Sequence, residues 1–413
     1  MPMSIIEWTT GGVCAAKGFV AGGIHCGIRK NHDRKDLAMI VSEVPASAAA
    51  VYTQNLVKGA PLIVTKKHLE NGVARAVVCN SGNANTCNAN GIEIAEQMSE
   101  AVSRGLYGYN CPPEDVIVAS TGVIGQPLCL DPIARGIANL CEGMLSPEGG
   151  HDAAEAIMTT DTQPKEVAVQ FRVGGKTCRL GAIAKGSGMI HPNMATMLVF
   201  ITTDCAVSRE MLQKALSEDI KSTFNMLSID GDTSTNDMVA ILANGMAGNP
   251  EIAGPGEDYD IFAAALRWVT QELCRRIAGD GEGATKLLVC RVTGAKDLET
   301  ARVVAKSVIC SSLVKAAMFG ADANWGRVLC AIGYSGADVD VSKVNVDFES
   351  AKGFEAVCEN GAGIDFSEEK AKQILLEKEI RINVNLNDGD EEALAWGCDL
   401  TYDYVKINGD YRT

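Results

Sequence analysis

Aromatic side chains are scarce in this chain, with tryptophan, tyrosine and phenylalanine together making up 5% of 413 residues. Basic runs are absent too. Lysine and arginine never cluster long enough to follow a phosphate backbone, and the net charge is −15. That balance excludes a nucleic-acid partner and disfavours an anionic membrane surface. No stretch reaches the roughly 18 uncharged apolar residues that span a bilayer. The opening MPMSIIEWTT lacks a basic patch followed by an apolar core, so no export signal is expected and the protein reads as cytoplasmic. No CxxC occurs, and the five histidines form no HxxxH-type pair, so no metal site is expected. The cysteines are odd in number, fifteen, and scattered; without export signals they read as buried small hydrophobes rather than disulfides.

What is present is apolar and rich in glycine: 46% hydrophobic residues and 42 glycines. This is the composition of a packed α/β protein with many tight turns, too long for one ordinary core. Helical periodicity is clearest over 92–106, 131–144, 208–227 and 257–278, with Ser208 as an N-cap. Strand patterns occur at 116–120, 166–171, 197–203, 286–294, 339–348 and 380–386. The two kinds mix without a steady β-then-α alternation. The expected fold class is therefore α/β with mixed sheets layered with helices.

Chemistry concentrates in a few segments. In GAIAKGSGMIHPNMATMLVFITTD (181–204) a glycine-rich turn leads into an apolar strand at Ala195-Thr196. Threonine at a strand start is ordinary. If the bond before it were cut, however, Thr196 would carry its own α-amine, of reference pKa about 7.7–8.0, as a base for its hydroxyl. Small Ala195 and the flanking Gly186 and Gly188 leave room for such a cut. Lys185 would ordinarily face solvent; beside a nucleophile its charge would keep that amine neutral and attract a carboxylate. His191 lacks Ser/His/Asp spacing and is given a loop role.

In VIVASTGVIGQPL (116–128) a strand delivers Thr121-Gly122 to a turn, where a hydroxyl and a glycine amide suit an oxyanion as well as an ordinary β-turn. In MTTDTQPKEVAV (158–169) the threonines around Asp161 suit a substrate's polar end or an Asx-turn. GDGEGATKLL (279–288) lacks the GK[ST] order of a phosphate loop, and Glu282 there could meet a substrate ammonium or simply be solvated. The asparagine-rich 79–91 is explained mostly by turn chemistry.

Taken together and in this order, STGVIG, MTTDTQPK, KGSGMIHPNMATML, GDGEGATK and FGADANWGRVL closely resemble the ornithine acetyltransferases, the glutamate N-acetyltransferases of arginine biosynthesis. The likeness runs from GFVAGGIHCGIRKNHDRKDLAMI at 18–40 to the C-terminal CDLTYDYVKINGDYRT. It implies cleavage between Ala195 and Thr196, with Thr196 as nucleophile and Thr121 and Gly122 as oxyanion hole. Substrate would be held by Thr159, Lys185, Thr196, Glu282, Asn408 and Thr413. Gly409 stands where the family commonly has alanine.

The resemblance further implies a ping-pong exchange of acetyl between N-acetylornithine and glutamate. No cofactor is implied, although a bifunctional member would also take acetyl-CoA. It implies an α fragment (1–195) and a β fragment (196–413) that stay together as a heterotetramer of two α and two β. The implied fold is that of the self-cleaving aminopeptidases. Two rivals stand beside this reading: a self-processed aminopeptidase or amidase, in which water takes the acyl group, and a binding protein that remains intact and turns nothing over.

Overall fold

The computed structural model describes residues 6–191 and 197–410; Ala195, Thr196 and Thr413 lie outside the described residues. Sixteen strands follow one another there. The first eight are β1 (Ile6–Thr9), β2 (Phe19–Ile24), β3 (Leu37–Tyr52), β4 (Val73–Asn83), β5 (Val116–Val123), β6 (Lys165–Val173), β7 (Lys176–Lys185) and β8 (Leu198–Thr203). Then come β9 (Leu227–Ser228), β10 (Met238–Ala243), β11 (Leu287–Ala295), β12 (Asn345–Ser350), β13 (Gly353–Glu359), β14 (Ala362–Gly363), β15 (Glu379–Asn385) and β16 (Glu391–Cys398). The helices that matter below are α1 (Ala60–His68), α2 (Gly91–Gly105), α3 (Leu130–Asn139), α4 (Gly150–Ala156), α5 (Arg209–Asp219), α6 (Glu257–Gly279) and α7 (Leu298–Cys310), followed by α8 (Ser312–Phe319), α9 (Trp325–Gly333), α10 (Glu368–Leu375) and α11 (Tyr402–Asp410).

Two mixed sheets result. One runs β1-β6-β7-β8-β10-β3-β4-β5 with β2 also on β3; the other runs β14-β13-β12-β15-β11-β16-β9. Most neighbours are antiparallel, but β8 with β10, β4 with β5, β11 with β15 and β9 with β16 are parallel. This is the mixed α/β class expected from the sequence. Strands before position 195 and after position 196 interleave in the first sheet, because β8 and β10 sit between β7 and β3.

Period-two alternation sorts the first sheet into its core layers. Ala38 and Ile40 of β3, Ile117 of β5, Leu198 and Phe200 of β8 and Met238 and Ala240 of β10 enter one cluster with α4. The intervening Met39, Val78 and Val118 pack with α2 and α3, and the intervening Val199, Ile201, Val239 and Ile241 with α5 and α6. Helix α6 buries Phe262, Leu266, Val269, Leu273 and Ile277 at helical spacing, and it touches β6 and β7 of one sheet and β11 and β16 of the other.

The periodic segments fold close to expectation at 92–106 and 257–278, and Ser208 caps α5 by accepting from Met211 N. Three expectations need correction. The helix sought over 208–227 stops at Asp219, because Thr223 leaves helical geometry (φ −126°, ψ −98°) and Leu227-Ser228 pair with Trp396-Gly397. The 131–144 stripe ends in a π-turn at Leu140–Met144, where Gly143 adopts φ 142° and Met144 turns outward. The strand sought from 339 starts at Asn345, since the Asp340 side chain accepts from Ser342 N and folds 341–343 into a short 3-10 turn. The cysteines are all free thiols, but Cys87, Cys129 and Cys330 are exposed rather than buried.

Close packing in the middle of β7 generates a test. A Cβ at Gly181 would lie 1.8 Å from the Gly12 carbonyl oxygen. Gly181→Ala is expected to cost roughly 1–3 kcal/mol, read as a lower midpoint in equilibrium urea unfolding.

Candidate active site

The end of β5 carries Ser120, Thr121 and Gly122 alongside Asn80, Ser81 and Gly82 of β4. Gly122 has φ 126°, and a Cβ there would lie 2.5 Å from the Gly82 carbonyl carbon, so the turn admits only glycine. Behind it Asn236 joins separate segments. Its Nδ2 donates to the carbonyls of Ser120 (3.0 Å) and Ala84 (2.5 Å), and its Oδ1 accepts from the Thr86 hydroxyl at 2.6 Å.

Lys185 closes β7 opposite Leu198 of β8. Far from being solvated, it is 9% exposed, and its Nζ donates to Thr121 Oγ1 at 3.3 Å. The next residue, Gly186, donates its N–H to Asp161 Oδ1 at 2.8 Å. Asp161 also accepts from Lys165 Nζ (2.6 Å) and from the Thr159 N–H (3.0 Å). Thr159 thus reaches this network through its backbone, and its carbonyl accepts from Arg34 Nη1 at 2.7 Å. Lys165 Nζ continues to Asp280 Oδ2 at 2.6 Å, and Asp280 accepts from the N–H and hydroxyl of Thr162.

The Ser187 hydroxyl donates to the Asp280 carbonyl at 2.7 Å, and the Ser187 carbonyl accepts from the Glu282 N–H at 2.8 Å. Asn408 Nδ2 donates to Glu282 Oε2 at 2.8 Å and to the Tyr404 carbonyl at 3.0 Å, so α11 holds the Glu282 carboxylate in place. A Cβ at Gly188 would lie 2.3 Å from that carboxylate, which is why the turn after Ser187 is glycine. Gly409 beside Asn408 meets no such constraint, since a Cβ there would touch nothing within 4 Å.

The electrostatics follow from burial. Burial pushes the Asp161 carboxyl up, but Lys165, Lys185 and the Gly186 N–H outweigh it and hold the group down at about 2. Asp237, next to Asn236, goes the other way: burial raises it well above the usual carboxylate range, against the opposing pull of Ser234 and Lys185. His191 is held by Ser228 Oγ at 3.1 Å, and burial together with Lys306 lowers it to about 4. Among the described residues, no three His, Cys, Asp or Glu side chains gather as metal ligands.

Of the residues singled out in the sequence, the structure joins Thr121, Gly122 and Lys185 in one corner and Glu282 with Asn408 in another. The stretch Lys185–Ser187 links them, and Thr159 is tied in through Asp161. Lys165, Asp280 and Asn236 escaped the sequence reading. Lys165 and Asp280 were signalled only by the need of a buried Asp161 for a counter-ion, which no spacing rule supplies.

The buried ion network sets two expectations. Lys165→Met leaves Asp161 without its nearest cation and is expected to cost about 3–5 kcal/mol, read as a lower thermal midpoint. The Asp161 carboxyl sits at about 2 when folded, against its ordinary 3.8. Its contribution to stability is therefore complete above the ordinary value and lost as pH falls through the folded one. Asp161→Asn is expected to flatten that acid limb of the stability profile.

The ArgJ family model matches residues 20–413. The arginine biosynthesis bifunctional protein ArgJ of Symbiobacterium thermophilum is 52% identical over 410 residues, covering 99% of this chain and all of that protein. Its counterpart in Caldanaerobacter subterraneus is 51% identical over 409 residues, covering 99% of this chain and all of that protein. Among solved structures, ArgJ from Bacillus halodurans is 44% identical and covers 52% of this chain and 98% of its own, with a TM-score of 0.49. On the match over nearly its whole length, the chain belongs to the ArgJ family of arginine-biosynthesis enzymes.

Proposed function

We propose that this enzyme moves an acetyl group from N2-acetylornithine to glutamate through an ester on Thr196, after cutting itself between Ala195 and Thr196. The observation that carries this reading is the contact of Lys185 Nζ with Thr121 Oγ1 at 3.3 Å beside Gly122. An ammonium can only donate, so Thr121 Oγ1 accepts from it and keeps its own hydroxyl hydrogen free for an oxyanion. The Gly122 N–H is the second donor.

In the first half-reaction the Thr196 hydroxyl oxygen attacks the acetyl carbonyl, and its proton passes to the Thr196 α-amine. The tetrahedral oxyanion is met by Thr121 and Gly122. Collapse breaks the amide C–N bond, the proton goes to the departing nitrogen, and ornithine leaves. In the second half-reaction the glutamate amine attacks the ester carbonyl, the C–O bond breaks, and the proton returns to Thr196. Lys185 and Thr159 serve the α-amino-acid end of either substrate. Glu282, held by Asn408, meets the ornithine side-chain ammonium, and Thr413 completes the pocket.

The exchange needs no cofactor. The relatives' name, bifunctional, supports acetyl-CoA as a second donor to the same ester. After cleavage the α and β fragments would remain joined, since β7 pairs with β8 and β10 with β3 across the cut, and they assemble as two α and two β. Among the described residues no helix is long and apolar enough to cross a membrane, and small charged substrates suit the cytoplasm.

The test is acetyl transfer from acetyl-labelled N-acetylornithine. Label is expected on the peptide that begins at Thr196 and then on glutamate. Release of the label as free acetate, with none on glutamate, would instead favour the amidase reading. Thr121→Val is expected to lower kcat by about 10²-fold with KM little changed, in steady-state assays.

A further inference from the structure

A cavity of about 480 Å³ opens between α7 and the segment that follows α5, with His191 on its wall. None of its lining residues has a part in the acetyl transfer set out above. Two cations on α7, Arg302 and Lys306, stand four residues apart on one helical face and both line it.

Neither cation has a carboxylate partner among the described residues. Lys306 Nζ donates to the carbonyls of Asn225 (2.8 Å) and Leu227 (2.5 Å), leaving one of its three N–H donors open. Arg302 Nη2 donates to the Ser222 hydroxyl at 2.5 Å, while its Nε is buried without any partner. Lys221 adds a third cation at the rim, against the single carboxylate of Glu299. The contrast with the neighbouring cavity is informative. Arg302 reaches the wall of that cavity too, but the other four arginines there, Arg267, Arg275, Arg291 and Arg381, are each paired with an acid: Asp219, Glu379, Glu392 and Glu349.

Two half-buried cations side by side without a carboxylate partner, in a chain whose net charge is −15, attract an anion to the cavity they share. We propose that this cavity binds a small oxyanion, a phosphate ester or a dicarboxylate, with Arg302 and Lys306 as its ligands. The guanidinium carries its unpartnered Nε–H on the same edge as Nη2, the side-on fork that meets two oxygens, and the Lys306 ammonium offers its remaining N–H. Burial already pushes the Lys306 ammonium down to about 8, and a bound anion would favour its charged form.

The experiment is calorimetric titration of inorganic phosphate into the full-length protein at constant ionic strength, with chloride as the control anion. Saturable binding is expected in the wild type, weakened about tenfold or more in Arg302→Met and in Lys306→Met. Arg291→Met, in the neighbouring cavity, is expected to bind like the wild type. Glycerol phosphate and succinate, titrated in the same way, distinguish a phosphate ester from a dicarboxylate as the preferred ligand. Absence of saturable phosphate binding in the wild type overturns the proposal whether or not the variants fold. Equal binding by folded Arg302→Met and the wild type overturns it as well.

Discussion

Asp161 is a carboxylate with almost no water around it, and its three donors come from both sides of the candidate active site. The Thr159 N–H fixes the segment before β6, Lys165 is the first residue of β6, and the Gly186 N–H fixes the chain as it leaves β7. A charge buried this deeply is tolerable only when its partners are all in place. The exit from β7 is therefore set by an ion network that extends through Lys165 to Asp280. From that exit hang Lys185 on one side and, through Ser187, the Glu282 turn on the other.

The sheet supplies the other half of the geometry. Parallel pairing of β4 with β5 brings Gly82 under Gly122, and the close approach there forces the turn that presents Thr121 and the Gly122 amide. Asn236 then bolts this turn to the segment that leads into β10. The turn that carries the two donors proposed for the oxyanion thus depends on a backbone contact at Gly122 in which an added side chain has no room.

Much of this was legible in the sequence, for reasons that differ by residue. Helix α6 showed itself because a single amphipathic face packs against two sheets, and that face imposes helical spacing. The mixed sheets followed from strands and helices that do not alternate. The glycine at 122 was readable as a turn, but its reason, the backbone of Gly82, lies far back in the sequence and only meets it through parallel pairing. Lys185 looked like a surface lysine because the burial of its stem depends on β5 and β8, neither of which its local sequence announces as a neighbour. The helix expected to run to 227 failed for a similar reason, since tertiary pairing with β16 overrode local periodicity.

The proposed chemistry rests on Thr196 acting through an α-amine freed by cleavage. The most direct measurement is the intact mass of the purified, denatured protein. Two species are expected, with masses that divide the chain between Ala195 and Thr196. A single full-length mass that persists after long incubation would contradict this chemistry, because Thr196 would then have no free amine to serve as base.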